Sequence, residues 1–190
     1  FLQSDLFNAN QRPAVDVGVS VSRVGGAAQI KAMKKVSGTL KLDLAQYRSM
    51  QAFAMFASDL DEASRRQLTR GARLTELLRQ PQYTPYNVED QVAAIWAGTN
   101  GHLEDLEVSD VLEFEQRFLE HLRRNTSVLT DIASSGKLED ATVEALKSAV
   151  VEVKRDFAAE GPHGGGIQPG HEEHAPVERS EVDQEEIVKR

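Results

Sequence analysis

The stretch VDVGVSVSRVGGAA, residues 15–28, joins an alternating apolar run to an arginine and a glycine pair. The β-branched side chains from Val15 to Val21 predict a strand, because successive side chains point to opposite faces of a sheet. Arg23 would then stand at the tip of that strand, and Gly25-Gly26 would let the backbone turn away after it. By itself this pattern favours an ordinary strand-end arginine whose guanidinium reaches water.

The composition of the 190 residues is that of a globular chain, with 40% apolar and 27% charged residues. A net charge of −8 argues against binding to nucleic acid or directly to an anionic membrane. There is no cysteine, which excludes disulfides and thiolate chemistry. No apolar run approaches the roughly 20 residues needed to cross a bilayer, and no signal peptide is visible. We therefore expect any membrane association to go through a partner.

From about residue 37 to residue 159, apolar side chains recur every three or four positions, which predicts amphipathic helices. We expect helices over residues 42–57, from about Leu60 to Leu78, from Asn87 to Gly98, from Ser109 to Leu122 and over residues 139–158. The predicted N-caps are Ser58 or Asp59, Asn87 and Ser109, whose short polar side chains can accept from free backbone N–H groups. In the first of these helices, Leu42 and Ala45 are expected on the buried face.

The predicted fold is mainly α, a helical bundle preceded by the last strands of an α/β domain. Two short strands do not make a stable sheet, so residues 1–36 are expected to complete a sheet whose other strands lie upstream. Residues 37–159 would form the helical C-terminal domain, and residues 160–190 a flexible acidic extension. The chain begins with phenylalanine and not methionine, and we expect it to be part of a longer protein.

The extension changes character along its length. Residues 161–176, GPHGGGIQPGHEEHAP, are rich in glycine, proline and histidine and predict a flexible linker. Residues 180–189 predict a short helix, because Ser180 with Asp183 approximates a capping box. His171 and His174 have acidic neighbours, but without a folded framework we predict no metal site there.

No phosphate-binding loop, zinc motif or nucleophile motif is complete in this chain, and Gly25-Gly26 lacks the spacing to Lys31 that a phosphate loop requires. One long pattern does stand out. Residues 13–22, PAVDVGVSVS, match P-x-x-D-x-x-x-S-x-S, which resembles the signature of rotary ATPase α and β subunits. Further segments resemble the α subunits of F-type ATP synthases in particular: RVGGAAQ at 23–29, LAQYR at 44–48, FASDLD at 56–61 and TELLRQPQY at 75–83.

This resemblance covers residues 1 to about 155, and it gives a role to individual residues. It implies that Arg23 is an arginine finger that reaches into the catalytic site of a neighbouring β subunit. It also implies that the α subunit's own non-catalytic nucleotide pocket, for Mg-ATP or ADP, is formed in part by Arg12, Pro13, Gln80 and Gln82, with Phe7 nearby. A β subunit would normally carry tyrosine in place of Arg12. Without the resemblance, Gln80 and Gln82 would be assigned to an exposed loop after a helix.

The resemblance further implies a regulatory, non-catalytic subunit of a proton-translocating ATP synthase. The expected partners are β subunits in a hetero-hexamer, the γ central stalk and the peripheral stalk. The expected location is the cytoplasmic face of a bacterial membrane, or its organellar equivalent. Residues 1–36 would end a nucleotide-binding domain, and the Ser58–Asp61 turn would either lie near γ or simply cap a helix. Because the phosphate loop is missing, this chain alone is not expected to be catalytic.

Two hypotheses remain open at this stage. Residues 160–190 are additional to a typical α subunit, and their acidic end could dock on the γ stalk and inhibit ATP hydrolysis, or could remain a solvated tail. The alternative for the whole chain is a stand-alone helical protein-interaction module without nucleotide chemistry.

Overall fold

The computed structural model describes residues 1–54 and 61–160, and these residues are mainly helical, which confirms the predicted fold class. The α-helices in these two ranges are α1 (Ser4–Asn8), α2 (Lys31–Ser37), α3 (Leu40–Ala54), α4 (Glu62–Leu77), α5 (Val88–Thr99), α6 (Val111–Asn125), α7 (Val128–Ser135) and α8 (Asp140–Glu160). Single 3-10 turns cover Gly25–Ala28 and Val108–Asp110. No helix in the described ranges is both long enough and apolar enough to span a membrane.

Helix α6 lies at the centre of the hydrophobic core. Phe114, Phe118 and Leu122 follow one another at four-residue spacing, which places them on one face, and all three are buried. Phe114 packs edge-to-face against Phe157 of α8, with 6.2 Å between the ring centroids. Burial of this aromatic and aliphatic stripe is the main force that holds the helices together.

Helix α2 was not predicted, and it belongs to the same core. Ala32, Met33 and Val36 are buried, and α2 packs against α5. The backbone N–H of Ala32 also donates to the carbonyl of Gly136, at 2.9 Å between N and O. The domain boundary predicted after residue 36 therefore falls within a helix whose apolar face is part of the bundle.

The strand predicted over residues 15–21 is wrong. In the described ranges, extended pairing is limited to one antiparallel bridge between Leu2 and Val15. The carboxylate of Asp16 accepts hydrogen bonds from the backbone N–H groups of Gly18 and Val19, at 3.0 and 3.4 Å. These bonds fold the chain into a turn, since an aspartate side chain competes with strand pairing for nearby backbone donors.

Most helix positions agree with the sequence, but several details differ. Asn87 is the N-cap of α5 as predicted, although its side chain makes no capping hydrogen bond. Ser109 is not an N-cap, because it lies within a 3-10 turn and Asp110 takes that position. Helix α4 is capped by Asp61, which accepts from the backbone N–H of Ser64 at 2.6 Å. The predicted caps Ser58 and Asp59 lie outside the described residues, as do residues 55–57 and the predicted helix 180–189.

The buried face of α3 also differs from the prediction. The helix begins at Leu40, and Leu40 and Leu44 are its buried leucines, whereas Leu42 is 59% exposed and Ala45 is exposed as well. The buried i, i+4 pair is thus Leu40 and Leu44, and it starts two residues before Leu42, where the sequence pattern placed the start of the buried face.

Helices α3 and α4 approach each other most closely at Gly71, which is buried. A Cβ atom added there would lie 2.3 Å from Cγ of Tyr47. We expect Gly71→Ala to destabilise the chain by about 1–3 kcal/mol, because the helices would have to separate. Thermal unfolding checks this, with Gly38→Ala as the matched control, since its nearest contact would be an ordinary 3.5 Å from the Lys34 carbonyl. Equal melting temperatures for the two variants would contradict the prediction.

Candidate functional site

Arg23 lies on an exposed loop, which we define as residues 16–25 and call the arginine loop. Its side chain is exposed, and so are the flanking Val21 and Val24, at 83% and 64%. Within the described ranges no hydrogen bond or ion pair engages the Arg23 guanidinium. The loop therefore presents an unengaged cation between apolar side chains, as expected of a group that meets another surface.

The amino-terminal end of the arginine loop is fixed by Asp16, which is only 3% exposed. Its Oδ2 forms an ion pair with Arg48 of α3 and accepts from Nε2 of Gln3 at 2.8 Å. Its backbone carbonyl accepts from the N–H of Ser20 at 3.0 Å. A buried carboxylate is stable only when it is paired and hydrogen-bonded in this way. Sequence reasoning missed this pair, although both residues lie in the segments that carried the resemblance.

The rest of the loop has weaker supports. The Ser20 carbonyl accepts from Nζ of Lys41 at 2.8 Å, in an exposed position. The hydroxyl of Ser22 accepts from the backbone N–H of Gly25 at 2.9 Å. Gly25 has a φ of +50°, which favours glycine, and the chain then enters the short 3-10 turn. Arg23 thus lies in an exposed bend after the turn and not at the tip of a strand.

Arg12 and Gln80, two of the predicted pocket residues, lie side by side. The Arg12 carbonyl accepts from the backbone N–H of Gln80 at 2.9 Å. The Arg12 guanidinium lies over the ring of Phe7, with 3.7 Å from Cζ to the centroid, and donates to the Phe7 carbonyl at 2.8 Å. The Arg12–Pro13 peptide bond is cis. Together these contacts form a flat guanidinium–aromatic surface beside Gln80.

Pro13 and Gln82 are placed differently. Pro13 is exposed and lines a cavity of about 230 Å³ with Asp16 and Tyr47, which is not the cavity that Gln80 lines. Gln82 is exposed in the turn before Tyr83, and its side chain makes no hydrogen bond to the described residues. The structure therefore joins Arg12 to Gln80 and leaves Gln82 open to a partner or ligand.

A buried acid lies behind Gln80. Gln80 and Glu115 line one cavity of about 180 Å³ together with Tyr86, and Glu115 is only 3% exposed. Burial, reinforced by the nearby Asp90 carboxylate, raises the pKa of Glu115 to about 8, although its hydrogen bond with Tyr86 acts in the opposite direction. Glu115 is therefore largely protonated at neutral pH. Glu115 is one of three glutamates in an amphipathic helix, and nothing in the sequence distinguishes it from Glu113 and Glu120.

Metal-ligating side chains are not clustered in the described ranges. No group of three or more histidine or acidic side chains there is arranged to hold a metal ion. The histidines at positions 171 and 174, considered above, lie outside these ranges.

Residues 29–153 match the family described as "ATP synthase alpha/beta chain, C terminal domain", and this match covers well over half of the chain. The chain belongs to this family. The match begins just before α2 and ends within α8, so it contains the whole of the buried core formed by α2 to α7.

Curated relatives extend the likeness beyond the family domain. The chain is 67% identical over 190 residues to "ATP synthase subunit alpha" of Renibacterium salmoninarum and 69% identical over 192 residues to the protein of the same name from Kocuria rhizophila. It is 60% identical over 190 residues to that of Clavibacter michiganensis subsp. michiganensis. Each match covers 100% of this chain, residues 161–190 included, and 34–35% of the relative. The chain thus spans about a third of the length of these relatives.

The raised pKa of Glu115 makes the stability of this family domain depend on pH. In the unfolded chain the group would have its ordinary pKa near 4.5, against about 8 in the folded chain. The folded state therefore binds more protons between these values, so the free energy of unfolding falls as pH rises from about 4.5 to 8. We expect Glu115→Gln to flatten this dependence and to be more stable than the parent above pH 7.

Urea unfolding at pH 5, 7 and 9 measures this effect. Glu120→Gln is the matched control, because Glu120 lies on the same helix, is 54% exposed and pairs with Arg124. A pH profile of Glu115→Gln that is parallel to the control profile would contradict the assignment.

Proposed function

We propose that this chain is part of the α subunit, regulatory and non-catalytic, of a proton-translocating F-type ATP synthase, and that it supplies Arg23 to the catalytic site of a neighbouring β subunit. The observation that carries the proposal is the arginine loop. It carries an exposed guanidinium that no hydrogen bond or ion pair engages in the described ranges, and Asp16 anchors its amino-terminal end to α3. Membership of the ATP synthase family and the name of the relatives support the same subunit.

The chemistry suits an arginine in this place. Charge spreads over the equatorial oxygens of the phosphoryl group during its transfer, and a fixed guanidinium from a second subunit stabilises that charge. Arginine stays charged at any physiological pH and presents a planar fork of donors. Arg23 gives up no hydrogen bond to the described residues when it meets the phosphate, because none of them engages its guanidinium.

We also assign Arg12, Pro13, Gln80 and Gln82 to a nucleotide pocket that binds Mg-ATP or ADP without turnover. The side chains of Gln80 and Gln82 suit the adenine base of the nucleotide, because glutamine amides can pair with an adenine edge. They do not account for phosphate binding, since the sequence contains no phosphate loop. The contact between Arg12 and Gln80 supports a shared surface, and the exposed Gln82 could close over it. The phosphate-binding part would come from elsewhere in the full subunit.

The assembly follows from the same proposal. The subunit would alternate with β subunits in a hexamer around the γ stalk, contact the peripheral stalk, and lie at the cytoplasmic face of the membrane or its organellar equivalent. The relatives' name, "ATP synthase subunit alpha", supports assembly into such a complex over the stand-alone helical module. This chain by itself would not hydrolyse ATP.

The acidic extension would act as a brake on ATP hydrolysis by docking on the γ stalk. Seven acidic against three basic side chains in residues 161–190 would favour a basic surface. The matches to the relatives include residues 161–190, so these proteins carry a corresponding segment, which supports a role for it in this group.

Arg23→Ala in the full-length subunit of an assembled complex tests the central proposal. Because an arginine finger contributes roughly a thousandfold or more to phosphoryl transfer, we expect ATP hydrolysis to fall by at least about a hundredfold. Subunit composition on gel filtration should stay unchanged, and Arg23→Lys should restore little, since lysine lacks the planar fork. Arg155→Ala, which removes a solvent-exposed arginine of α8, is the control. Turnover of Arg23→Ala equal to this control would refute the proposal.

Deletion of residues 161–190 tests the extension separately. If the segment is a brake, the truncated complex should hydrolyse ATP several-fold faster while its rate of ATP synthesis changes little. Salt should accelerate hydrolysis by the intact complex, because it screens the docking of an acidic segment, and the truncated complex should have lost most of this salt dependence. Equal hydrolysis rates with and without the segment would identify it as a solvated tail.

A further inference from the structure

We infer that Arg48 is a positioning residue for Arg23: its ion pair with the buried Asp16 fixes the arginine loop on α3. This inference rests on the proposed role of Arg23 and names the residue on which that role depends. Arg48 lies 32 positions after Asp16, in a different element, so the pair joins the loop to the helical bundle.

The two carboxylate oxygens of Asp16 do different work. Oδ2 binds Arg48 and Gln3, and so ties the residue to α3 and to the amino-terminal segment. Oδ1 accepts from the backbone N–H groups of Gly18 and Val19, and so shapes the turn itself. One rigid, planar group therefore connects the helix directly to the backbone of the loop.

The loop also lies close against α3 at this point. A Cβ added to Gly18 would be 3.5 Å from the Cα of Ala45 and 3.3 Å from Oδ1 of Asp16. The backbone of the turn is thus packed between the carboxylate and the helix. A shift of Asp16 would move this backbone, because Oδ1 of Asp16 is hydrogen-bonded to the backbone N–H groups of Gly18 and Val19.

Other attachments of the loop to α3 are weaker in the described ranges. The bond from Lys41 to the Ser20 carbonyl is exposed, where competition from water reduces its contribution. After Ser20 the chain is exposed as far as Val24. Asp16, at 3% exposed, is the buried attachment point, and the half-buried Arg48 is the cation that compensates its charge.

Loss of Arg48 would leave a buried carboxylate without its cation. Such a group is strongly unfavourable, so Asp16 would turn outward to water, and this change loosens its hold on the turn. A catalytic group displaced by about 1 Å can lose a hundredfold in rate. Arg48 makes no proposed contact with nucleotide, so the loss should appear in kcat and not in substrate binding.

The test uses complexes assembled with the full-length subunit and compares Arg48→Ala, Arg23→Ala and the double variant, with Arg155→Ala as control. We expect Arg48→Ala to lower kcat for ATP hydrolysis about tenfold to a hundredfold, with KM changed less than about threefold. The double variant should be no slower than Arg23→Ala, because Arg48 acts through Arg23. Trapping of ADP with fluoroaluminate, which mimics the transferring phosphoryl group, should weaken in parallel with kcat.

Asp16→Asn and Arg48→Lys are included because Arg48→Ala could fail to assemble. Asparagine keeps the shape of residue 16 and removes the charge. The complex with Asp16→Asn should therefore assemble but have a lower kcat. Lysine keeps the positive charge, so Arg48→Lys should lie closer to the control than Arg48→Ala does. A merely structural role would lower the melting temperature of these variants without changing kcat or fluoroaluminate trapping per assembled complex.

The outcomes separate the two proposals. If Arg23→Ala is slow while Asp16→Asn and the assembled Arg48 variants turn over at the control rate, the positioning role is refuted and the arginine finger stands. If Arg48→Ala lowers kcat by the same factor in the Arg23→Ala background as it does alone, Arg48 acts independently of Arg23 and the inference is again refuted. If Arg23→Ala itself matches the control, both proposals fall.

Discussion

The buried carboxylate of Asp16 is the constraint on which the functional end of this molecule depends. With 3% of its surface exposed, it must be neutralised, and Arg48 of α3 does so. This requirement brings the amino-terminal segment onto the helical bundle and bends residues 16–20 into a turn. Arg23 lies a few residues after that turn. The buried Asp16 therefore determines where the exposed segment with Arg23 begins.

The amino-terminal segment is held to the bundle at a second place, around α4. The side chain of Gln11 donates to the Thr75 carbonyl at 3.3 Å, and the backbone carbonyl of Arg12 accepts from the backbone N–H of Gln80. The proposed catalytic arginine and the proposed nucleotide pocket therefore rest on different helices, α3 and α4. The close approach of these helices at Gly71 and Tyr47 fixes the position of α3 relative to α4, and with it the position of the arginine loop relative to Arg12 and Gln80.

The sequence predicted the helices best where apolar residues recur every three or four positions over several turns of one helix. The stripe around Phe114 and Phe118 needs only the three–four spacing, and it is buried as such spacing requires. The failure over residues 15–21 has a different cause: alternation of valines measures strand propensity, whereas the hydrogen bonds of Asp16 and its distant cation decide the conformation. Neither the Asp16–Arg48 pair nor the neutral state of Glu115 could be read from the sequence, because both depend on burial by residues far away in the chain.

The wide sequence separation of these supports has a consequence for the order of folding. Helices such as α6 and α8 form from local contacts, whereas Asp16 meets Arg48 across 32 positions, Gln11 meets Thr75 across 64 and Asn10 meets Arg79 across 69. Contacts that close long loops form after local ones, so we expect the arginine loop to reach its final position only after α3 has formed. If Arg23 is the arginine finger proposed above, a partly folded subunit would present no ordered guanidinium to a neighbour, and it would support no ATP hydrolysis before assembly is complete.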